Sequence, residues 1–164
     1  MKRSWTLALG LAVSLLGAAG CGPRYVTGTK VEYTSEKQRL ADIVERYRLA
    51  MEQRDVEALR ALASSDYYEN ASTTTEPGDD YGIEGLERVF LDLKNNVKDV
   101  KYTVDIKDIR IMGEGQNEAA HVDYEYTGQY LFTIGERDRW ETVTDKNRLI
   151  FRKEDGNWRI ISGM

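Results

Sequence analysis

Between Val100 and Ile161 apolar and polar residues alternate in runs separated by turns too short to hold a crossover, and this leaves the chain one topology. Val100, Tyr102, Val104 and Ile106 alternate with polar residues, and then the phase slips, so that the next apolar pair is Ile109 and Ile111. A one-residue slip within a strand predicts a β-bulge near Lys107-Asp108. After a turn at Gly113-Glu114-Gly115-Gln116-Asn117, a long strand is expected over residues 119–134, with Ala120, Val122, Tyr124, Tyr126, Tyr130, Phe132 and Ile134 on one face. A turn at Gly135-Glu136-Arg137-Asp138 leads to a strand over 139–152. Asp155-Gly156 closes the last hairpin, and Trp158, Ile160 and Ile161 lie in its second strand. Strands joined this tightly pair antiparallel, because parallel pairing needs a long crossover.

The region before the meander has helical periodicity. Ser35-Glu36-Lys37-Gln38 fits a capping box. Leu40, Ile43, Val44, Tyr47, Ala50 and Met51 then recur at i, i+3, i+4 as one apolar stripe. Asp55 predicts the N-cap of a second helix that buries Val56, Leu59 and Leu62. A third helix is expected from Ile83, with Leu86, Val89, Phe90, Leu93 and Val97 inward. Three N-terminal helices followed by a meander make an α+β domain.

The first twenty residues differ from the rest. Lys2 and Arg3 precede an uncharged apolar run from Trp5 to Leu16, the pattern of an export signal and too short to span a membrane. Leu16-Gly17-Ala18-Ala19-Gly20-Cys21 resembles a bacterial lipobox, which implies cleavage before Cys21 and lipid attachment there. On this reading residues 1–20 are a lipoprotein signal peptide, 21–34 a tether and 35–164 the folded domain. Several acyl chains anchor stably where one does not. Gly22, standing where an aspartate marks inner-membrane retention in some bacteria, favours the outer membrane.

The 164 residues carry 28 Asp and Glu against 23 Lys and Arg, a net charge of −5. This excess of acid argues against nucleic-acid binding, which needs clustered Lys and Arg. One cysteine and one histidine exclude a disulfide framework and a thiolate zinc site, so neither metal nor cofactor is expected.

Taken in order, the long first helix, the segment Asp55-Val56-Glu57-Ala58-Leu59, the entry Gly82-Ile83-Glu84-Gly85-Leu86 and the terminal hairpin Leu149–Ile160 resemble the nuclear transport factor 2-like superfamily, over about residues 35 to 164. The resemblance implies a strongly curved antiparallel sheet wrapped round the helices as a cone with one open end. It does not settle function, since that cone hosts isomerases, dehydratases, cyclases and members without chemistry.

Alternation places His121 with Asp123, Glu125, Thr127 and Gln129, away from the Tyr124/Tyr126 face that should look into the cone. Tyr47, Tyr124, Tyr126 and Trp140 are the expected pocket residues, apolar in body and polar at the tip. A carboxylate base is not pinned by any motif. Asp66 and Glu69 lie where relatives place acids, and Asp105, Asp145 and Arg148 could imitate an Asp-Arg-Asp arrangement. Glu76, Asp79 and Asp80 share a loop without the ligand spacing of a calcium site. The reading is a lipid-anchored envelope protein, non-enzymatic, binding a small amphipathic ligand or a partner protein, with a homodimer among its possible states. The alternative is an isomerase-, dehydratase- or cyclase-type enzyme on a bulky apolar substrate.

Overall fold

A computed structural model describes residues 22–70, 77–115 and 118–164. Residues 1–20, expected to be a signal peptide, and Cys21, Glu76, Gln116 and Asn117 lie outside the described residues.

Helix α1 runs Ser35–Gln53 and α2 Val56–Leu62. A two-residue pair of strands, β1 (Tyr68–Glu69) and β2 (Tyr81–Gly82), leads into α3, Ile83–Asn96. The main sheet follows in chain order as β3 (Asp99–Met112), β4 (Ala119–Ile134), β5 (Arg137–Glu154) and β6 (Asn157–Ser162), each antiparallel to its neighbour. This is the α+β domain that the meander predicts, with the antiparallel sheet and helices of the cone that the family resemblance implies. The register slips between Ile106 and Asp108, where the apolar phase changes, because the extra residue Lys107 lets Val104, Ile106 and Ile109 all reach the core.

Helix α2 is capped as expected, the Asp55 carboxylate accepting from the Ala58 N–H at 3.0 Å. The cap of α1 is one residue earlier than the capping-box reading places it. Thr34 Oγ1 accepts from Lys37 N at 3.1 Å, and Ser35 is the first helical residue. Gln38 instead turns its amide oxygen to Thr27 N at 3.0 Å and donates to Asp42 at 2.8 Å. That contact ties the segment before α1 to the domain. Much of the expected tether is packed on the domain, with Val26 and Val31 buried, Tyr25 bridging Glu32, and Val26 N bonded to Val31 O at 2.9 Å. A turn that buries two valines gains apolar burial that a free linker would forgo.

One apolar core joins Leu40, Ile43, Val44 and Tyr47 of α1, Leu59 of α2, Leu86 and Phe90 of α3, and Val100, Tyr102, Val122, Tyr124, Leu149, Phe151 and Ile160 of the sheet. Val89, expected inward, is 46% exposed. Leu86 and Phe90 already supply the stripe, and α3 lies at the margin of the core. Trp158 is buried with its indole N–H on Glu36 at 2.9 Å, which ties β6 to the start of α1. Ser64 joins the end of α2 to the sheet through its N–H to Ile160 O at 2.8 Å and its hydroxyl to Glu154 at 2.7 Å.

Candidate functional site

The inner face of the sheet follows from its register. Tyr126 stands opposite Val104 on β3 and Asp145 on β5, and Tyr124 opposite Ile106 and Asn147. Residues directly opposite in an antiparallel pair share a face. Tyr47 from α1 meets this face edge-on, its ring 6.0 Å from Tyr102, which stacks on Tyr126 at 5.4 Å; Tyr124 and Tyr126 are 6.1 Å apart.

Three of the four expected pocket residues therefore come together. Two of them do so as packing rather than as the walls of a hollow. Tyr47 and Tyr124 are 3% and 1% exposed, and Tyr102, absent from the expected set, is 3% exposed. Burial pushes all three phenols well above the ordinary tyrosine range. The groups that act on them are other tyrosines and, for Tyr124, Asn147. The Tyr124 hydroxyl is buried with no hydrogen bond of normal geometry, the Tyr102 and Tyr47 hydroxyls and the Asn147 amide being its nearest polar neighbours. Neutral phenols packed against one another supply bulk and shape to the cone.

The fourth, Trp140, is on the other side of the sheet. It pairs with Leu131, whose face is that of Thr127 and Gln129, and it is 42% exposed beneath the Lys101 ammonium, 5.0 Å from the ring centroid. Residues 139–147 are polar apart from Trp140 and Val143, which fall on opposite faces, so their alternation offers no apolar phase from which to read the inner side.

One opening lies beside Tyr126, at the mouth. A notch of about 320 Å³ is lined by Glu69, Tyr81, Tyr126, Asp145, Asn147 and the segment Gly163-Met164. One Glu69 carboxylate oxygen accepts from Gly163 N at 2.7 Å, Ser162 Oγ at 3.2 Å and the Tyr67 hydroxyl at 3.3 Å. Asn147 donates its amide to Gly163 O at 3.1 Å, and Met164 N donates to the Tyr67 hydroxyl at 3.0 Å. Residues 162–164 thus lie across the mouth, held by the polar groups that would otherwise face an entering molecule. A larger open groove of about 680 Å³ lies between α1, the end of α2 and the β5–β6 turn, with Arg39, Asp42, Arg46 and Arg159 among its walls.

His121 stays on the outer face, opposite Arg110 and Ile150. Partial burial, with the Arg148 and Arg110 guanidinium groups nearby, holds its pKa below the ordinary histidine range despite Asp123. Arg148 and Arg110 both bond Asp123, at 2.5 and 2.6 Å, and hold its carboxyl below the usual range. Arg148 is thus paired with Asp123 rather than with Asp105 or Asp145. Those two fall on opposite faces, since Asp105 pairs with Glu125 and Asp145 with Tyr126. Asp66 is bound to Arg152 at 2.8 Å, and Asp80 accepts from Tyr68 at 2.5 Å. Among the described residues no group of three or more His, Cys, Asp or Glu side chains is placed to hold a metal ion.

Residues 36–163 match the family model of the calcium/calmodulin dependent protein kinase II association domain. Solved structures carry the same fold. A candidate scytalone dehydratase from Novosphingobium aromaticivorans superposes with a TM-score of 0.61 at 15% identity, covering 78% of this chain and 80% of its own. A nuclear transport factor 2-like superfamily protein from Salmonella enterica gives 0.59 at 16% identity, over 77% and 87%. The association domain of the C. elegans kinase gives 0.54 at 19% identity, over 78% and 92%. At these identities the likeness speaks for the nuclear transport factor 2-like fold. No curated protein sequence matches the chain.

Proposed function

This chain belongs to the calcium/calmodulin dependent protein kinase II association domain family, and on that premise we propose that it is a non-enzymatic association module, held at the cell envelope by a lipid on Cys21 and binding a partner protein. The observation that supports this reading best is the packed interior of the cone. Tyr47, Tyr102 and Tyr124 fill the space between α1 and the inner face of the sheet, almost free of solvent. General acid–base work needs a carboxylate within reach of the proton it moves, and these phenols are surrounded by one another. A module without an interior site works through its surface, and the long, exposed β4–β5 hairpin is one of the places where that surface offers apolar residues, as α3 is with Val89 and Leu91: Ile134, Trp140 and Val143 are 58%, 42% and 44% exposed.

A second reading, a small lyase or isomerase, draws on Glu69. It is a carboxylate beside a tyrosine hydroxyl at the mouth, in a fold shared with a candidate dehydratase. Against it, the oxygen of Glu69 that meets Tyr67 also takes the Gly163 and Ser162 donors.

The anchor is tested by fractionation in the native host. Cys21→Ser is expected to move the protein from the membrane to the soluble fraction while its thermal unfolding stays unchanged, because several acyl chains carry the membrane affinity. A variant that remains membrane-bound, or a native protein that takes up no palmitate label, would contradict the anchor. Association itself predicts a native mass of two or more chains, or of one chain with a protein partner.

A further inference from the structure

We propose that the partner protein presents an acidic, extended segment to the arginine-lined groove between α1, the end of α2 and the β5–β6 turn; this rests on the association reading and names the chemistry of its partner. The groove, of about 680 Å³, shares no lining residue with the notch at the cone mouth. Its walls carry Arg39, Arg46 and Arg159 against Asp42 alone, in a chain whose net charge is −5. A concave surface of one sign draws opposite charge toward it.

These guanidinium groups differ from their neighbours in how little of their donor capacity is used. Arg48, also on α1, is held by Glu45 at 2.8 Å and by Glu52 at 2.7 Å, and Arg60 of α2 by Glu87 at 2.6 Å. Arg46 is exposed, and its side chain has no ion pair or hydrogen bond among the described residues. Arg39 gives only Nη1 to Glu36, at 2.9 Å. Arg159 gives Nη1 to the Ala61 carbonyl, which fixes it against the end of α2. The two nearby acids are shared with other donors: Glu36 accepts from the Trp158 indole N–H at 2.9 Å, and Asp42 from the Gln38 amide at 2.8 Å. A guanidinium fork with free N–H groups matches a carboxylate bidentately.

The spacing favours a chain over a single small anion. Arg39 and Arg46 stand seven residues apart on one face of α1, about 10 Å at the helical rise. Ile43 lies between them, and Leu62 lines the groove with it. An extended segment rises about 3.3 Å per residue, so acids three residues apart span the same distance. Such a segment meets both arginines and lays an intervening side chain over Ile43 and Leu62.

Hexaglutamate titrated into the full-length chain in detergent, followed by the tryptophan indole N–H signals in NMR, tests the groove. The Trp158 signal is expected to shift, because a carboxylate that draws Arg39 away alters the Glu36 group that accepts the indole N–H, while the Trp140 signal stays in place. Arg46→Glu is expected to raise the hexaglutamate Kd about tenfold or more with thermal unfolding unchanged, since an exposed side chain without partners adds nothing to the fold. Glu36→Gln, which keeps an oxygen for the Trp158 N–H, is expected to lower that Kd about twofold or more by removing a competing carboxylate. Hexaglutamate that leaves Trp158 unmoved, a Kd that ignores Arg46→Glu, or inorganic pyrophosphate that binds as tightly as hexaglutamate overturns the acidic-segment pairing and leaves the association reading standing. A native mass of one chain alone overturns the association reading, whatever the groove binds.

Discussion

Tyr124→Ala is expected to destabilise the domain by about 3–5 kcal/mol, the cost of emptying a large aromatic site in a core that cannot collapse round the gap. Tyr124→Phe is expected to be neutral or stabilising by up to about 1 kcal/mol. The difference rests on the hydroxyl: the ring is 1% exposed and its oxygen is buried with no hydrogen bond of normal geometry. A polar atom left unsatisfied costs about 1–3 kcal/mol, and a substitution that removes it without changing the packing recovers part of that. Chemical denaturation of the two variants with unchanged m-values is the measurement. A loss of more than about 1 kcal/mol in the phenylalanine variant would mean the hydroxyl is engaged in a polar network, as a catalytic or ligand-binding tyrosine would be.

Gly163→Ala is expected to cost about 1–3 kcal/mol and to release the segment across the mouth, because the backbone there suits glycine alone. Its φ is +95°, and an added Cβ would sit inside the contact distance of the Arg148 carbonyl oxygen. The residue must move, and the bonds from Gly163 N to Glu69 and from Asn147 to Gly163 O go with it. Amide exchange at residues 162–164 should accelerate while β3 and β4 keep their protection. Unchanged stability together with unchanged exchange would show that the segment does not depend on these contacts.

Local patterns carried much of this structure into the sequence. Alternation placed β4 at Ala119–Ile134 to the residue, the phase slip at Lys107-Asp108 marked the bulge, and Asp55 marked a helix start. Each of these rests on residues near one another in the chain. The misplacements arose where the deciding partner is remote or the local signal is shared. Thr34 and Ser35 are both good caps, and the choice falls with the turn that brings Thr27 to Gln38. Val26 and Val31 read as linker because two valines make no period. Trp140 was set on the wrong face because only the pairing with Leu131 fixes its side. Tyr102 was legible as inward from its alternation with Val100 and Val104, yet its place in the tyrosine cluster depends on Tyr47, 55 positions away. Glu69 and Gly163 are 94 residues apart, and no spacing rule joins them.

The cone is closed by its own side chains, and the proposed module works by assembling. Native mass spectrometry of the protein extracted from its own membrane reads both halves at once. The expected spectrum shows a multiple of two or more lipidated chains, or one chain with a protein partner, and no adduct beyond the acyl groups. A single chain carrying a bound small molecule would contradict it.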